Sequence, residues 1–322
     1  MRRLICLNVL LAMSGGLTLA AAERVVAPDD VSAAVAEARP GDVIVLQDGV
    51  WKDADLRVEA KGTAEKPMTL RAQTPGRVVL SGRLRLSGEH LVVSGLFFRD
   101  VGGQDHVIEF RTTSRDHAHH CRLTNCAIIN DCAAEEAADT KWVSLYGTHN
   151  RVDHCYFAGK SNEGQTLVVW VGDGPNQHRI DHNHFGPRPE LGKNGGETIR
   201  IGTSNVSLND SRTVVEFNLF EECDGEAEII SSKSCENLFR ANTFRRCAGA
   251  LTLRHGHRCT VEGNWFLGEG KRRTGGVRII GDDHLVINNY FENLTGDEAR
   301  AAVSVMNGIP DTPLNGYSQV HR

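Results

Sequence analysis

The chain has 322 residues with a formal net charge of -5, 40% hydrophobic, 24% charged and 6% aromatic residues, and 33 glycines. The absence of an overall basic field argues against a nucleic-acid partner. No Pro/Gly/Ser-rich linker or charge block divides the chain, so it reads as one long domain with many turns and thin aliphatic layers. In chain order, Arg2-Arg3, the apolar stretch Leu4 to Leu19 and the small residues Ala20-Ala21-Ala22 read as a signal peptide over residues 1–22. Ser14-Gly15-Gly16 interrupts a run already short for a membrane span, and Cys6 lies too early for a lipid-modified terminus. The mature chain, residues 23–322, is therefore expected to leave the cytoplasm for the periplasm or the medium and to carry no membrane anchor. Asp29-Asp30 followed by apolar positions at helical spacing to Ala38 predicts an aspartate-capped helix. Its expected task is to plug the end of the repeat that follows.

From Gly95 onward a triplet recurs: a small or polar residue, a variable residue, then a large apolar one. It reads Gly95-Leu96-Phe97, Cys126-Ala127-Ile128, Cys155-Tyr156-Phe157, Asn183-His184-Phe185, Asn218-Leu219-Phe220, Asn242-Thr243-Phe244, Asn264-Trp265-Phe266 and Asn289-Tyr290-Phe291. The third positions are 31, 29, 28, 35, 24, 22 and 25 residues apart. This period is too long for a heptad and too irregular for leucine-rich repeats, and short β-branched runs lie between the triplets. The pattern predicts an all-β fold, a right-handed parallel β-helix with an N-terminal capping helix, whose longer gaps are loops over one face. The asparagines at 183, 218, 242, 264 and 289 are expected to stack as a ladder, each satisfying the next. Cys223, Cys235, Cys247 and Cys259 fall every twelve residues, which predicts buried thiols, 223 over 247 and 235 over 259. Coils stack ~4.8 Å apart, wider than a disulfide prefers. Ala302 to Met306 reads as one more rung and Asn307-Gly308-Ile309-Pro310 as a loop, with no cap after it, so the C-terminal end is expected to be incomplete.

Chemistry concentrates between Gly225 and Gly256. On a strand, Glu226 and Glu228 point the same way with Ala227 facing away. Lys233 follows five residues later and Arg254 one coil beyond. Two carboxylates able to hold a hard cation, beside a lysine and an arginine, suit attack on an acidic sugar. From Ser231 to Ile280 ten Lys/Arg face three acids, Glu236, Glu262 and Glu269. This basic strip on an acidic protein points to a polyanionic ligand, a solvated face being the alternative. His117-Ala118-His119-His120 lacks carboxylate or thiolate partners at metal-ligand spacing, and no Cys-x-x-Cys is present.

The runs Gly225 to Ser234, Arg254-His255-Gly256, Thr274 to Gly281, Lys141 to Gly147, Asn150 to Phe157 and Asn194 to Gly202 resemble polysaccharide lyase family 6, the family of alginate lyases and chondroitinase B. The resemblance covers roughly Gly41 to Tyr317. It implies Ca2+ on Asn194, Glu226 and Glu228 with Glu197 nearby, Lys233 as base and Arg254 as acid. It also implies substrate binding by Arg278 and His255. The implied reaction is β-elimination at a 4-linked uronate, in which a cation spreads the enolate charge after the C5 proton leaves. Lys233 can act only while a fraction is uncharged, which nearby positive charge favours. Arg254 either donates the proton or stabilises the leaving oxygen while water supplies it, because guanidinium hardly deprotonates. The substrate implied is alginate, an anionic polysaccharide. A dermatan-sulfate lyase and a non-catalytic carbohydrate-binding β-helix are the alternatives, and block preference, endo or exo action and oligomeric state stay open.

Overall fold

Runs such as Val214–Glu216 and Val277–Ile279 are three residues long and cannot stand alone. Each finds its partner one coil away, Val214–Glu216 beside Leu238–Arg240 and Val277–Ile279 beside Ala250–His255. The computed structural model describes residues 21–101, 104–130 and 139–306. The expected signal segment up to residue 20, Cys132 and the expected uncapped end from Asn307 onward lie outside the described residues. Among the described residues every strand-to-strand ladder is parallel, in an 11-stranded sheet that runs the length of the molecule and a 19-stranded sheet that folds round its other faces. The fold is thus the predicted all-β parallel solenoid. Val303–Val305 forms the expected further rung, paired with Val277–Ile279.

The triplet explains how each coil turns its corner. The residue before it takes a left-handed conformation: Asn125, His154, His182, Phe217, Ala241 and Asn288, all with φ between 51° and 58°. A side chain other than glycine there costs on the order of 1 kcal/mol, and the first triplet residue offsets it. Asn218 Nδ2 donates across the bend to Glu216 O at 3.0 Å and also to Asn242 Oδ1 at 3.0 Å. The same amide-to-amide step joins Asn183 to Asn218, Asn242 to Asn264 and Asn264 to Asn289. Cys126 and Cys155 occupy earlier rungs of this column, and Cys155 N donates to Asn183 Oδ1 at 3.0 Å. From Ile128 onward the third triplet residue points inward; the first triplet is one residue out of register, because Phe98, not Phe97, pairs with Ile128 and is fully buried. Phe157, Phe185, Phe220, Phe244, Phe266 and Phe291 stack with centroids 4.6–5.3 Å apart.

The described cysteines are all buried and free. Cys223 N lies 3.4 Å from Cys247 Sγ, as the spacing predicts. Cys235 does not stack on Cys259. That coil has 22 residues, which sets Leu238 against Thr260 and brings the backbone N of His257 to Cys235 Sγ. The helix Val31–Glu37 caps the first coils, burying Val31 and Ala34 in the core. Asp30 occupies its N-cap position, but its side chain makes no capping bond, because a 3-10 turn over Pro28–Asp30 already satisfies the local backbone. No helix among the described residues is long and apolar enough to cross a membrane.

Candidate active site

Two neighbouring strands, Glu228–Lys233 and Ala250–His255, carry most of the candidate residues, and their pairing slips twice. Glu228 pairs with Ala250 but Ile230 with Leu251, leaving Ile229 as an extra residue; Ser232 pairs with Leu253 but Lys233 with His255, leaving Arg254 as an extra residue in the other strand. The two bulges cancel in register and re-aim side chains at both ends of the pair, as bulges beside reactive sites do. Arg254 therefore stands next to Lys233, with its Nε 3.4 Å from Glu228 Oε1. Arg278, one coil further on and in register with Thr252, brings its own guanidinium 3.5 Å from the same oxygen. Two cations thus converge on Glu228, whose side chain is 12% exposed.

Glu226 does not sit on the strand, contrary to the alternation expected of it. It lies in the turn before Glu228, and Ala227 lines the same cavity instead of facing away. The reason is the crowding of Gly195-Gly196 against Gly225, where a Cβ on Gly225 would fall 2.2 Å from Gly196 O. The chain is pulled into a tight turn there. Gly195 N and Gly196 N donate to Glu226 Oε2 at 2.8 and 3.1 Å. Burial, then the nearby Glu197, raise the Glu226 carboxyl to about 7 against the pull of those amides, with Glu228 adding to the rise.

Beneath this turn lies Arg188, 3% exposed. Its guanidinium donates to Glu197 O at 2.7 Å, Gly164 O at 2.8 Å, Asn162 O at 3.2 Å and Thr166 Oγ1 at 3.3 Å. It ties the 162–164 turn to the segment that presents Asn194. Gly225 packs on it so closely that a Cβ would meet Nε at 2.7 Å.

Asn194, Glu226 and Glu228 line one cavity of about 320 Å³, walled on its far side by Glu190, Arg273 and Arg300. Glu190 and Arg273 pair at 2.6 Å across 83 residues of sequence. Glu197 is not in this cavity. It is 2% exposed behind Glu226, accepting from Gln165 Nε2 at 2.7 Å. Among the described residues no three His, Cys, Asp or Glu side chains could by themselves hold a metal ion. The set that faces the cavity is two carboxylates and one amide, all hard oxygen donors, and neither Glu226 nor Glu197 has a cationic partner in an ion pair among the described residues. Arg188 and Arg300 act on Glu226 only from beyond ion-pair distance, and its carboxyl stays raised by burial and by the neighbouring acids, so this oxygen-donor set fits a hard cation.

His255 is 4% exposed, close enough to Arg254 and Lys233 to feel both. The sequence reading missed an aromatic extension of this face. Trp170 stacks on Tyr146 at 5.7 Å and lies under the Arg200 guanidinium at 5.4 Å, and Arg200 is in register with Ser231. The available signal was positional, since Tyr146 and Trp170 each directly follow strands whose ends pair, Leu145 with Val169.

Fold and site together define a parallel β-solenoid with a mixed-charge face built beside an oxygen-lined cavity. A family model described as chondroitinase B matches residues 25–322. The chain belongs to that family, polysaccharide lyase family 6. Among solved structures it is similar to the family 6 alginate lyase AlyGC, with 48% identity and a TM-score of 0.87 over 92% of this chain. It is also similar to a mannuronic-acid-specific family 6 lyase from human gut microbiota, with 39% identity and a TM-score of 0.84 over 92% of this chain and 71% of that one. A third, Pedsa3628 from Pseudopedobacter saltans, shares 28% identity with a TM-score of 0.78 over 93% of this chain and 73% of that one. The chain spans 42% of the length of AlyGC. No curated protein matches its sequence.

Proposed function

We propose that this chain is a calcium-dependent polysaccharide lyase that cleaves alginate by β-elimination. The observation that carries the reading is the paired bulge that sets Lys233 beside Arg254, one coil from Arg278, on the face that adjoins the Asn194, Glu226 and Glu228 cavity. Lys233, uncharged, takes the C5 proton of the uronate; the electron pair forms the C4–C5 double bond as the C4–O4 bond breaks. The leaving oxygen then gains a proton, with Arg254 placed to donate it or to stabilise the charge while water does. Arg278 and Arg254 supply positive charge along the face for an anionic chain, and His255 lies against both Lys233 and Arg254. Asn194, Glu226 and Glu228 would hold Ca2+, which when bound would withdraw charge from the uronate carboxylate and make the C5 proton more acidic. Alginate as the substrate is supported by the likeness to the alginate lyase AlyGC and to the gut-microbiota lyase whose specificity is for mannuronic acid. Export to the periplasm or the medium rests on the Arg2 to Ala22 segment of the sequence.

The test is turnover of alginate, followed by absorbance of the unsaturated product end. Lys233→Ala and Arg254→Ala are each expected to lose at least a thousandfold in kcat while keeping their melting transitions and polymer binding. A variant retaining a substantial share of wild-type turnover removes that residue from its assigned role.

A further inference from the structure

Arg254 and Arg278 both turn to Glu228, but Arg200, on the coil before Lys233, turns to no acid. Among the described residues its side chain makes no hydrogen bond or ion pair, and its Nε is buried without a partner. A guanidinium carries five donors and does not shed its charge. Left half-buried with no acceptor, this one holds a charge that nothing in the fold answers.

Its place is fixed all the same. The Arg200 guanidinium lies over the Trp170 ring at 5.4 Å, Trp170 stacks on Tyr146 at 5.7 Å with the planes 11° apart, and Arg111 lies over Tyr146 at 3.9 Å. The four come from successive coils. At the far end Arg111 is bonded to Glu109 at 2.6 Å, which closes the stack there. The indole is covered by Tyr146 from one coil and by Arg200 from the next, so Trp170 serves as a base for the guanidinium and not as a platform for a sugar ring. Tyr146, Trp170, Gly202 and Lys233 follow one another along a row, because Leu145 pairs with Val169, Val169 with Ile201 and Ile201 with Ser232. Gly202 puts no side chain between the indole and Lys233, and a Cβ there would fall 2.5 Å from Lys233 O.

We propose that Arg200 is a further substrate-binding residue, which takes through its two terminal nitrogens the carboxylate of a uronate next to the one that reacts. The proposal rests on reading the Lys233 and Arg254 face as the sugar site. Arg200 and Arg278 share one register column, with Ser231 and Thr252 between them. Three coil steps, ~14 Å, therefore separate the two arginines, and Lys233 and Arg254 lie on the coils between. Ser231 and Thr252 are short and have no exposure, so the floor between the arginines is low. A polyuronate carries a carboxylate on every sugar, and while one sugar reacts at Lys233 the next presents its own. The guanidinium fork matches that carboxylate with two parallel bonds. Being held on the indole beforehand, it loses little freedom when the sugar arrives.

The test uses the full chain in a Lys233→Ala background, so that an alginate hexamer is bound and not cleaved, with titration calorimetry as the readout. Adding Arg200→Ala is expected to weaken hexamer binding about tenfold, and adding Arg200→Lys, which keeps the charge and loses the fork, about threefold. With Lys233 present, Arg200→Ala is expected to raise KM for the polymer about tenfold with a smaller change in kcat, since it touches a sugar that does not react. Arg57→Ala, which removes an exposed guanidinium bonded to Glu59 on an early strand, is the control and is expected to bind as its parent does. Should Arg200→Ala fail to fold, Arg200→Gln and Arg200→Lys carry the same comparison, with the glutamine the weaker binder. Hexamer affinity that is the same with and without the Arg200 guanidinium, whether both forms bind or neither does, overturns the proposal, as does a loss in kcat that exceeds the change in KM. Failure of the lyase reading is seen separately, as absent turnover in the wild type while the hexamer still distinguishes the Arg200 variants.

Discussion

Asp153 has no exposed side-chain surface, yet it stays ionised because the outer face of the 11-stranded sheet surrounds it with donors. Burial alone would raise its carboxyl. Bonds from Arg122 at 2.6 and 2.7 Å, from His154 at 2.7 Å and from Thr124 at 3.0 Å outweigh burial and hold it at about 2. Asp181 repeats the arrangement with Arg151 and His182, and Glu216 takes Arg179 and Arg240. Because the folded value lies below the ordinary one, the stabilisation is present above about pH 4 and is lost as pH falls through 2. Asp153→Asn is expected to remove roughly 2 kcal/mol at pH 7 and to flatten the acid limb of a stability-versus-pH curve from urea unfolding. An unchanged acid limb in the variant would show that the Arg122 bond carries no folding energy.

At the scale of elements, the turn that holds Glu226 is decided by glycines interleaved from successive coils over a buried guanidinium. A methyl on Gly225 would meet Gly196 O at 2.2 Å and Arg188 Nε at 2.7 Å, and neither can move without shifting the amides that hold Glu226. Gly225→Ala is expected to weaken calcium binding at least tenfold, read by titration calorimetry, in a protein that still melts cooperatively. Gly172→Ala, whose Cβ would meet nothing within 4 Å, is the control and is expected to bind as the parent does. Equal affinities for the two variants would detach the turn from the ion. The bulges at Ile229 and Arg254 belong to the same scale, since a single extra residue in each strand decides which side chains share the face.

At the scale of the whole molecule, the solenoid lets residues 83 apart, Glu190 and Arg273, wall one cavity, so ion binding there should be felt by the stack of coils on both sides. Chelation is expected to abolish turnover and calcium to restore it, with the melting temperature rising with calcium concentration as mass action requires. Full activity in protein verified free of calcium by elemental analysis would remove the ion from the reaction. Alginate is expected to be cleaved faster than dermatan sulfate in side-by-side assays, and the reverse order would favour the chondroitinase reading of the same site.

The sequence by itself determined the solenoid, its corner and its core. From Asn183 to Asn264 the triplet is a local rule, satisfied afresh on each coil: a left-handed bend, an asparagine whose amide bonds the next coil's asparagine, and a phenylalanine two positions on that points inward. Such periodicity survives loops of any length, which is why the asparagine ladder and the phenylalanine stack were legible without coordinates. The neighbourhood of Glu228, Lys233 and Arg254 was legible for the same reason, being one coil apart. What only the tertiary structure decided depends on register to a single residue. The 22-residue coil that sets Cys235 against His257, the bulges that bring Arg254 to Lys233, and the turn that takes Glu226 off the strand while Glu197 stays buried behind it all follow from how backbones from different coils crowd one another. The bond between Ser207 and His255 is the extreme of this dependence. Nothing in either segment alone specifies the other, because only the stacking of the coils brings residues 48 apart in sequence together.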